Sequence, residues 1–475
     1  MKSFWQTLED FKDAPCVEGE ACLSYCEVAS LADGVFPIDN SNGNRKALAL
    51  VLCGRNVATF LGYLACLRAE VVPILLPEDM GQDNLLAYIT RYKPRYIWCS
   101  KSLHDEFDGL TGDVVNHLHS YVLVDLKLDA SDPQTYELYE QLALLLTTSG
   151  STADPKLVRL SYTNIQANAD SIAEYLNIDN QSKPITLLPF NYSFGLSVIN
   201  SHLNRGACIV FTNEGLTARG FWDTFKQCAV TSFYGVPYHY EILKKFRFER
   251  QEYPSLSLMA QAGGRISESL KQEFYALSKT KGFQFICMYG QTEATARISY
   301  LPPDQFELKS KSVGVAIPKG TLSIRQPDVD QIGEVAYTGP NVSLGYATCG
   351  EELALGDVNQ GSLLTGDLGY LDEDGYLFLT GRKKRYVKVF GHNVNLDHVE
   401  SIVHELVAGA AVIGQDNEVW VLTTQGKSDE IKQVLLNKTT IQPSALKIQQ
   451  VETLLYKSSG KIDYGELTAR YIVHD

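Results

Sequence analysis

The sequence predicts an α/β protein. Its parts are a large N-terminal domain of mainly parallel sheets layered with helices, a small antiparallel barrel-like part, and a small mobile C-terminal α+β domain. Three observations predict this. Up to about Pro303, short continuous apolar runs alternate with helical patterns, as strands do when helices bury both faces of a parallel sheet. Beyond Pro303 the runs shorten and are separated by Gly and Asp turns, the pattern of antiparallel strands. At 475 residues the chain is too long for one ordinary domain.

Taken in order, "ALALVLC" reads as a buried strand, "VATFLGYLACLRA" as a helix and "VVPILLP" as a second strand. The same unit recurs through "PRYIWCS", "YVLVDL", "LALLLTT", "PITLLPF", "GACIVFT", "VTSFYGV" and "FQFICMYG", all read as strands. "GTLSIRQPDVDQIGEVAYTGP" and "GYLDEDGYLFLTG" read as antiparallel strands. After the basic run "GRKKRYVK" come a helix ("HVESIVHELV"), two strands ("AAVIG", "EVWVLTT") and a second helix ("SDEIKQVLLNK"). A boundary at Gly381–Lys384 therefore divides residues 1–381 from residues 382–475.

Composition narrows the function. Hydrophobic residues are 45% and charged residues 21%, which excludes a disordered chain. The net charge of −14 argues against unspecific binding to nucleic acid or to an anionic membrane. The ten cysteines form no C-x-x-C pair, and Cys22 and Cys26 lack partners at zinc spacing, so reduced, mostly buried thiols are expected. The N-terminus carries acidic residues where a signal peptide would be apolar, and the longest apolar region breaks at Gly54-Arg55-Asn56. A soluble, cytoplasmic protein with no membrane insertion is the expectation.

The segment "TTSGSTADPK" follows "LALLLTT" and precedes a helical pattern beginning near Thr163-Asn164. Successive backbone N–H groups, hydroxyls and a lysine make an anion cradle. It is not a Walker P-loop. "YKSSGKID" fails that pattern too, with Leu455 in place of the first Gly and Ile462 in place of Ser or Thr. By spacing alone, a solvated turn is as good a reading as a phosphate site.

The segment nevertheless resembles the T-S-G-(S/T)-T-G-x-P-K loop of the acyl-adenylate-forming superfamily, and further motifs of that family follow in order. "CLSYCEVASLA" is similar to its early segment, "AGGRIS" to its Gly-Gly turn and "MYGQTEA" to Y-G-x-T-E. "GEVAYTGPNVSLGY", "LLTGDLGYLDEDGYLFLTGRKKR", "VKVFGHNVNLDHVE" and "LLYKSSGKIDYGEL" resemble the later ones. The resemblance covers nearly the whole chain. It implies a ligase that activates a carboxylic acid with ATP and Mg²⁺ as acyl-AMP, then passes the acyl group to a thiol.

The resemblance also implies roles. Thr148, Ser149, Gly150, Ser151, Thr152 and Lys156 would hold the β- and γ-phosphates, and Thr292 the α-phosphate. Glu293 would ligate Mg²⁺, a hard cation that takes oxygen ligands. Asp367 would accept from the ribose hydroxyls and Arg382 would reach the ribose or phosphates. Tyr289, followed by Gly290, would stack on adenine, with Gly263 and Gly264 admitting it close to the backbone. Lys461 would bridge the acid and the α-phosphate. Lys384 would be the hinge about which the C-terminal domain rotates, bringing Gly391 and His392 to a thiol tunnel. Taken singly, Asp367 reads as a turn residue, Lys461 as a surface lysine, Glu293 as a helix cap, and the basic run Arg382 to Lys388 equally as a solvated turn or a nucleic-acid patch. The chain departs from the family at Ala153 (usually Gly), Arg385 (usually acidic) and Tyr464 (often Arg). A Gly-only conformation is thus closed to the loop at 153.

The acyl pocket falls on "LLPFNYSFGLSVIN", the "AGGR" turn and "CMYG", giving Asn191, Tyr192, Ser193, Phe194, Gly195, Arg265 and Met288 as lining residues. Tyr192 stands at the gate. Ser193 stands where amino-acid-activating members carry an Asp for the ammonium. No acid lies between Pro189 and Asn200, which disfavours an α-amino acid, because a buried ammonium would lack its counter-charge. The polar residues there suggest a short or hydroxylated acid; they could equally serve only to satisfy backbone groups. The flavour is similar to short ligases of bacterial surface-polysaccharide clusters that load acyl groups onto carrier proteins. The expected partners are a small carboxylic acid, CoA or a separate acyl carrier protein, and a second copy of the chain in a homodimer. The competing classes are a non-catalytic adenylate-binding relative, an amino-acid-activating enzyme and, remotely, a luciferase-type oxygenase. The retained Lys156, Glu293, Asp367 and Lys461 favour the ligase.

Overall fold

The computed structural model describes residues 2–37, 46–107, 112–126, 136–147, 156–383, 385–390, 392–407, 409–439, 441–457 and 460–472, with the backbone alone at 392 and 393. The largest sheet has eight strands. Leu48–Cys53, every residue of it buried, lies at its centre, parallel to Val72–Pro77 and Tyr96–Ser100. Leu142–Thr147 joins Val72–Pro77 in parallel. Both edges are antiparallel: Leu157–Ser161 and Gly345–Ala347 on one side, Tyr121–Leu126 and Gly112–Leu118 on the other.

Helix Val57–Arg68 explains the long apolar region. Its Asn56 side chain caps it by accepting from the Thr59 N–H at 2.8 Å, and Val57 to Leu67 are all buried. A helix apolar all round must be enclosed on all sides. Gly62 lets it approach the sheet, because a Cβ there would lie 2.2 Å from the Trp98 Nε1.

A second sheet runs parallel through Ser232–Gly235, Leu258–Gln261 and Gln284–Tyr289, then antiparallel through Ser299–Tyr300 and Val315–Ala316. A third is wholly antiparallel: Thr321–Arg325, Gly333–Thr338, Ser362–Leu371 and Leu377–Arg382. After Arg382 a new hydrophobic cluster begins with Val387. It contains hairpin Tyr386–Val389/His392–Asn395, the sheet Ala410–Gln415/Glu418–Thr423/Leu446–Gln450, and helices Leu396–His404 and Ser428–Lys438.

One expectation fails. "PITLLPF" forms no strand, only isolated parallel bridges from Pro184 to Ser232 and from Ile185 to Val210. Prolines at 184 and 189 remove ladder donors from it. The helix expected near Thr163-Asn164 is present as Tyr162–Tyr175, capped by Ser161 and Asn164, and it is preceded by strand Leu157–Ser161, antiparallel to Leu142–Thr147. All ten cysteines are free, six of them buried. Among the described residues, no helix is long and apolar enough to cross a membrane.

Candidate active site

The strand Gln284–Tyr289 delivers the "YGQTE" loop to the edge of the second sheet. Gly290 is required there, because a Cβ would lie 1.9 Å from the Ala296 carbonyl oxygen. Asn341, buried in the "TGPN" turn, fixes the loop from below. Its Nδ2 donates to the carbonyls of Ala294 (2.8 Å) and Arg297 (2.9 Å), and its Oδ1 accepts from Tyr337 (2.8 Å). The Ser343 N–H donates to the Glu293 carbonyl at 2.9 Å. Two motifs far apart in sequence thus form one rigid turn.

At its tip, the Tyr346 hydroxyl donates to the Glu293 Oε1 at 2.7 Å. Lys156 Nζ lies 3.2 Å from the Tyr346 ring centroid. Tyr346 therefore links the cation to the carboxylate, a role that no sequence motif assigned to it. Among the described residues no group of three or more His, Cys, Asp or Glu could hold a metal. The chain offers the single carboxylate of Glu293, which suits Mg²⁺, an ion that keeps waters and takes its other ligands from substrate phosphates.

Asp367 sits in strand Ser362–Leu371, cross-paired with Arg382 of the next strand. Its Oδ1 meets the Arg382 Nε at 3.2 Å, and its Oδ2 accepts from the Tyr289 hydroxyl. Burial pushes the Asp367 carboxyl upward, while Arg382 and Tyr289 act in the opposite sense. The Tyr289 hydroxyl is thus committed to Asp367.

The expected pocket residues converge from three elements. Ser193 opens helix Ser193–Leu203, and its Oγ lies 3.1 Å from the Thr292 Oγ1. Gly195 lies against the Pro189 carbonyl, where a Cβ would come within 2.4 Å. Gly263 has φ +83°, and a Cβ there would strike the Tyr192 hydroxyl at 2.2 Å. Glycine at 263 is what lets Tyr192 stand upright. Gly264 is less constrained, its nearest neighbour being Pro237 at 3.2 Å. Met288 is buried and its Sδ accepts from Tyr175 at 3.1 Å. Asn191 is half-buried; Arg265 is exposed, and no described contact ties it to the pocket. The residue that sequence reasoning missed is Arg297, wholly buried with its Cζ 4.1 Å from the Phe194 ring centroid. An arginine within the apolar stretch "ARISYL" was the available signal.

Lys461 arrives from the C-terminal region. A bridge between Tyr456 and Ile462 closes a hairpin, and the Lys457 N–H donates to the Lys461 carbonyl at 2.8 Å. Tyr456 packs on Tyr238 with ring centroids 4.8 Å apart, and Gly460, at φ +75°, lies where a Cβ would meet Val236 at 2.8 Å. Lys461 Nζ then sits 5.0 Å from the Tyr192 ring centroid. Burial first, then Arg382 and Lys457, bring its ammonium down to about 8, against the pull of Glu293 and Asp367. Arg382, Glu293 and Asp367, which the family resemblance placed at one site with Lys461, are thus close enough to act on its charge.

The departures Arg385 and Tyr464 prove to be one feature. The Arg385 Cζ lies 3.8 Å over the Tyr464 ring, and both groups meet Glu400, at 3.2 Å from Arg385 and 2.6 Å from the Tyr464 hydroxyl. Arg385 also pairs with Asp397 at 3.0 Å, whose other oxygen accepts from the Arg382 N–H at 2.8 Å. Lysine 384, residues 148–153, Gly391 and the His392 side chain lie outside the described residues.

With this geometry in hand, comparison with known proteins is informative. Residues 5–347 match the family model described as AMP-binding enzyme. A 2-succinylbenzoate–CoA ligase of Bacillus cereus is 28% identical over 408 residues, spanning 83% of this chain and 80% of that protein. An indoleacetate–CoA ligase of Aromatoleum aromaticum is 27% identical over 432 residues, spanning 84% and 82%. In fold, o-succinylbenzoate coenzyme A synthetase from Bacillus subtilis, solved with ATP and magnesium ion, superposes with TM-score 0.77 at 20% identity over 98% of this chain and 99% of that one. An anthranilate CoA ligase solved with anthranoyl-AMP gives 0.78 at 18% identity over 99% and 97%. The family match covers well over half of the sequence, and the chain belongs to the AMP-binding enzyme family.

Proposed function

We propose that the protein is an AMP-forming acid–thiol ligase. The observation that carries this reading is Lys461, held on a hairpin from outside the N-terminal domain and seated beside Tyr192, with Arg382, Glu293 and Asp367 as its charged neighbours. In the first step a carboxylate oxygen attacks the α-phosphorus of ATP, and the bond to pyrophosphate breaks. In the second a thiolate attacks the acyl carbon and AMP leaves. The first step presses an anion against a polyanion, so positioned cations and donors matter more than a covalent catalyst.

The roles follow from position. Lys461 neutralises charge between the acid and the α-phosphate, with the Thr292 hydroxyl donating there. Glu293 and Lys156, now joined through Tyr346, separate to hold a metal and the outer phosphates, together with residues 148–152. Mg²⁺, when bound, supplies charge neutralisation on those phosphates. Asp367 and Arg382 exchange part of their mutual pairing for the ribose hydroxyls, and Tyr289 with Gly263 and Gly264 frames the base. The region near Lys384 is the hinge between residues 1–381 and 382–475, and after it turns, Gly391 and His392 face the thiol.

The CoA-ligase relatives support CoA as acceptor. A separate carrier protein is the second acceptor we consider, and the named residues all come from one chain, so a homodimer is not needed for the chemistry. Ten free cysteines favour a reducing compartment, the cytoplasm. The test is acid-dependent ATP–pyrophosphate exchange across a panel of carboxylic acids, followed by transfer to CoA or pantetheine. Exchange with no acid at all, in a protein that binds ATP, would leave the non-catalytic reading standing.

A further inference from the structure

Among the described residues two arginines are almost wholly enclosed, Arg159 and Arg297, and they are satisfied very differently. Arg159 is 0% exposed, and its guanidinium donates to backbone carbonyls: Leu344 at 2.8 Å, Tyr346 at 3.1 Å, Gly356 at 3.3 Å, and Leu355. Arg297 is 1% exposed, and its Nε has no partner. No carboxylate pairs with it among the described residues. One face of the guanidinium lies on the Phe194 ring, the Tyr175 hydroxyl is its hydrogen-bonding neighbour, and the phenols of Tyr192 and Tyr234 are close to it.

A cation stacked on an aromatic ring gains from the ring's quadrupole. That accounts for one face and leaves both the orphaned donor and the net charge. A buried charge without a counter-ion is costly, and a Leu or Met would fill the same volume without the cost. The neighbours of Arg297 show where a counter-ion would come from. Phe194 follows Ser193, which touches Thr292. Tyr192 is a neighbour of Arg297 and also of Lys461, whose Nζ is 5.0 Å from its ring. Tyr175 touches Met288. Arg297 is held in place through its own carbonyl by Asn341, in the turn that also holds Glu293. The cation thus lies among the residues expected to line the acyl pocket, and Tyr192 is a neighbour both of it and of the reacting lysine.

We propose that Arg297 is the counter-charge for a second carboxylate on the acyl substrate, so that the acid this enzyme activates is a dicarboxylate, one carboxyl reacting at Lys461 and the other paired with Arg297. This rests on the acid-activating reading of the same pocket. A guanidinium matches a carboxylate in two parallel hydrogen bonds, which a neutral group cannot return. The same cation repels an ammonium, so the pocket excludes amino acids by charge as well as by the missing acid at Ser193.

The test uses the full-length enzyme and pyrophosphate exchange with isosteric pairs: malonate, succinate, glutarate, adipate and isophthalate, each against its neutral monoamide. In at least one pair the diacid is expected to exceed the monoamide by tenfold or more in kcat/KM. Arg297→Gln should abolish that ratio, and Arg297→Lys should keep part of it. If every monoamide equals or surpasses its diacid in the unmodified enzyme, the dicarboxylate proposal is overturned while acid activation stands, and this arm holds even if the variants do not fold. A folded Arg297→Gln enzyme, judged by its unfolding midpoint, that keeps the preference also overturns it. Exchange with neither mono- nor dicarboxylic acids sinks both readings together.

Discussion

The two sides of the cleft carry charge in opposite ways. On the side assigned to the nucleotide, the described charges already have partners: Glu293 holds Tyr346, Asp367 holds Tyr289 and Arg382, and Lys156 lies on the Tyr346 ring. On the acyl side Arg297 has aromatic rings and an unsatisfied Nε. Polar groups with internal partners can exchange them for phosphate and ribose at small net cost. A buried charge without one gains most from a single kind of ligand and penalises the rest. The difference teaches where the two proposals differ physically: the proposed nucleotide chemistry is placed on self-satisfied groups, and the proposed discrimination between acids on an unsatisfied one.

The largest effect that would break this contrast concerns the ammonium. Lactate against alanine, or 2-hydroxybutyrate against 2-aminobutyrate, keeps size nearly constant. Pyrophosphate exchange should favour the hydroxy acid by about 10², since a pocket holding Arg297 and no acid between Pro189 and Asn200 has nothing to pair with an amine. Faster exchange with the amino acid would mean that a carboxylate we have not assigned faces the pocket. Ser193→Asp should narrow the gap.

A smaller effect is the pH profile. The Lys461 ammonium titrates near 8 in the free enzyme because burial and Arg382 disfavour its charge. Its charged form is the useful one, so kcat/KM for exchange should be level below pH 8 and fall about tenfold per unit above it. Lys461→Arg, whose cation does not titrate there, should remove the falling limb from whatever activity survives. A limb unmoved by that change would belong to another group.

Smaller again is the metal requirement. Glu293→Gln should raise the Mg²⁺ needed for half-maximal exchange several-fold, because the Gln amide is a weaker ligand than the carboxylate. Unchanged metal dependence would make Glu293 a partner of Tyr346 only. The smallest effect lies away from the cleft: Tyr464→Phe removes the 2.6 Å bond to Glu400 and should cost about 1 kcal/mol of stability in denaturant unfolding.

The nucleotide side was legible in the sequence because its groups sit on short contiguous motifs, "YGQTE", "TGD" and "SGK". The acyl side was only half legible. Tyr192, Ser193 and Phe194 are consecutive, but Arg297 lies about a hundred residues further on and meets Phe194 only in the folded chain. Leu157–Ser161 escaped notice for a related reason: Arg159 makes a buried strand look polar, and only the carbonyls around residues 344–356 explain its burial. "PITLLPF" misled in the other direction, apolar enough for a strand but without the donors. Arg385 and Tyr464 read as two separate departures because nothing in a single sequence says that they touch.

The account stands on Lys461 serving one half-reaction. In Lys461→Ala, acid-dependent pyrophosphate exchange and thiolysis of supplied acyl-AMP should be measured side by side. Loss of one preorganised charge contact commonly costs about 10²–10³ in rate. The exchange should fall by that much while thiolysis stays within a few-fold of the unmodified enzyme, because the proposed hinge turn would withdraw the hairpin from Tyr192. Equal losses in both half-reactions, or exchange that survives without the lysine, would contradict it.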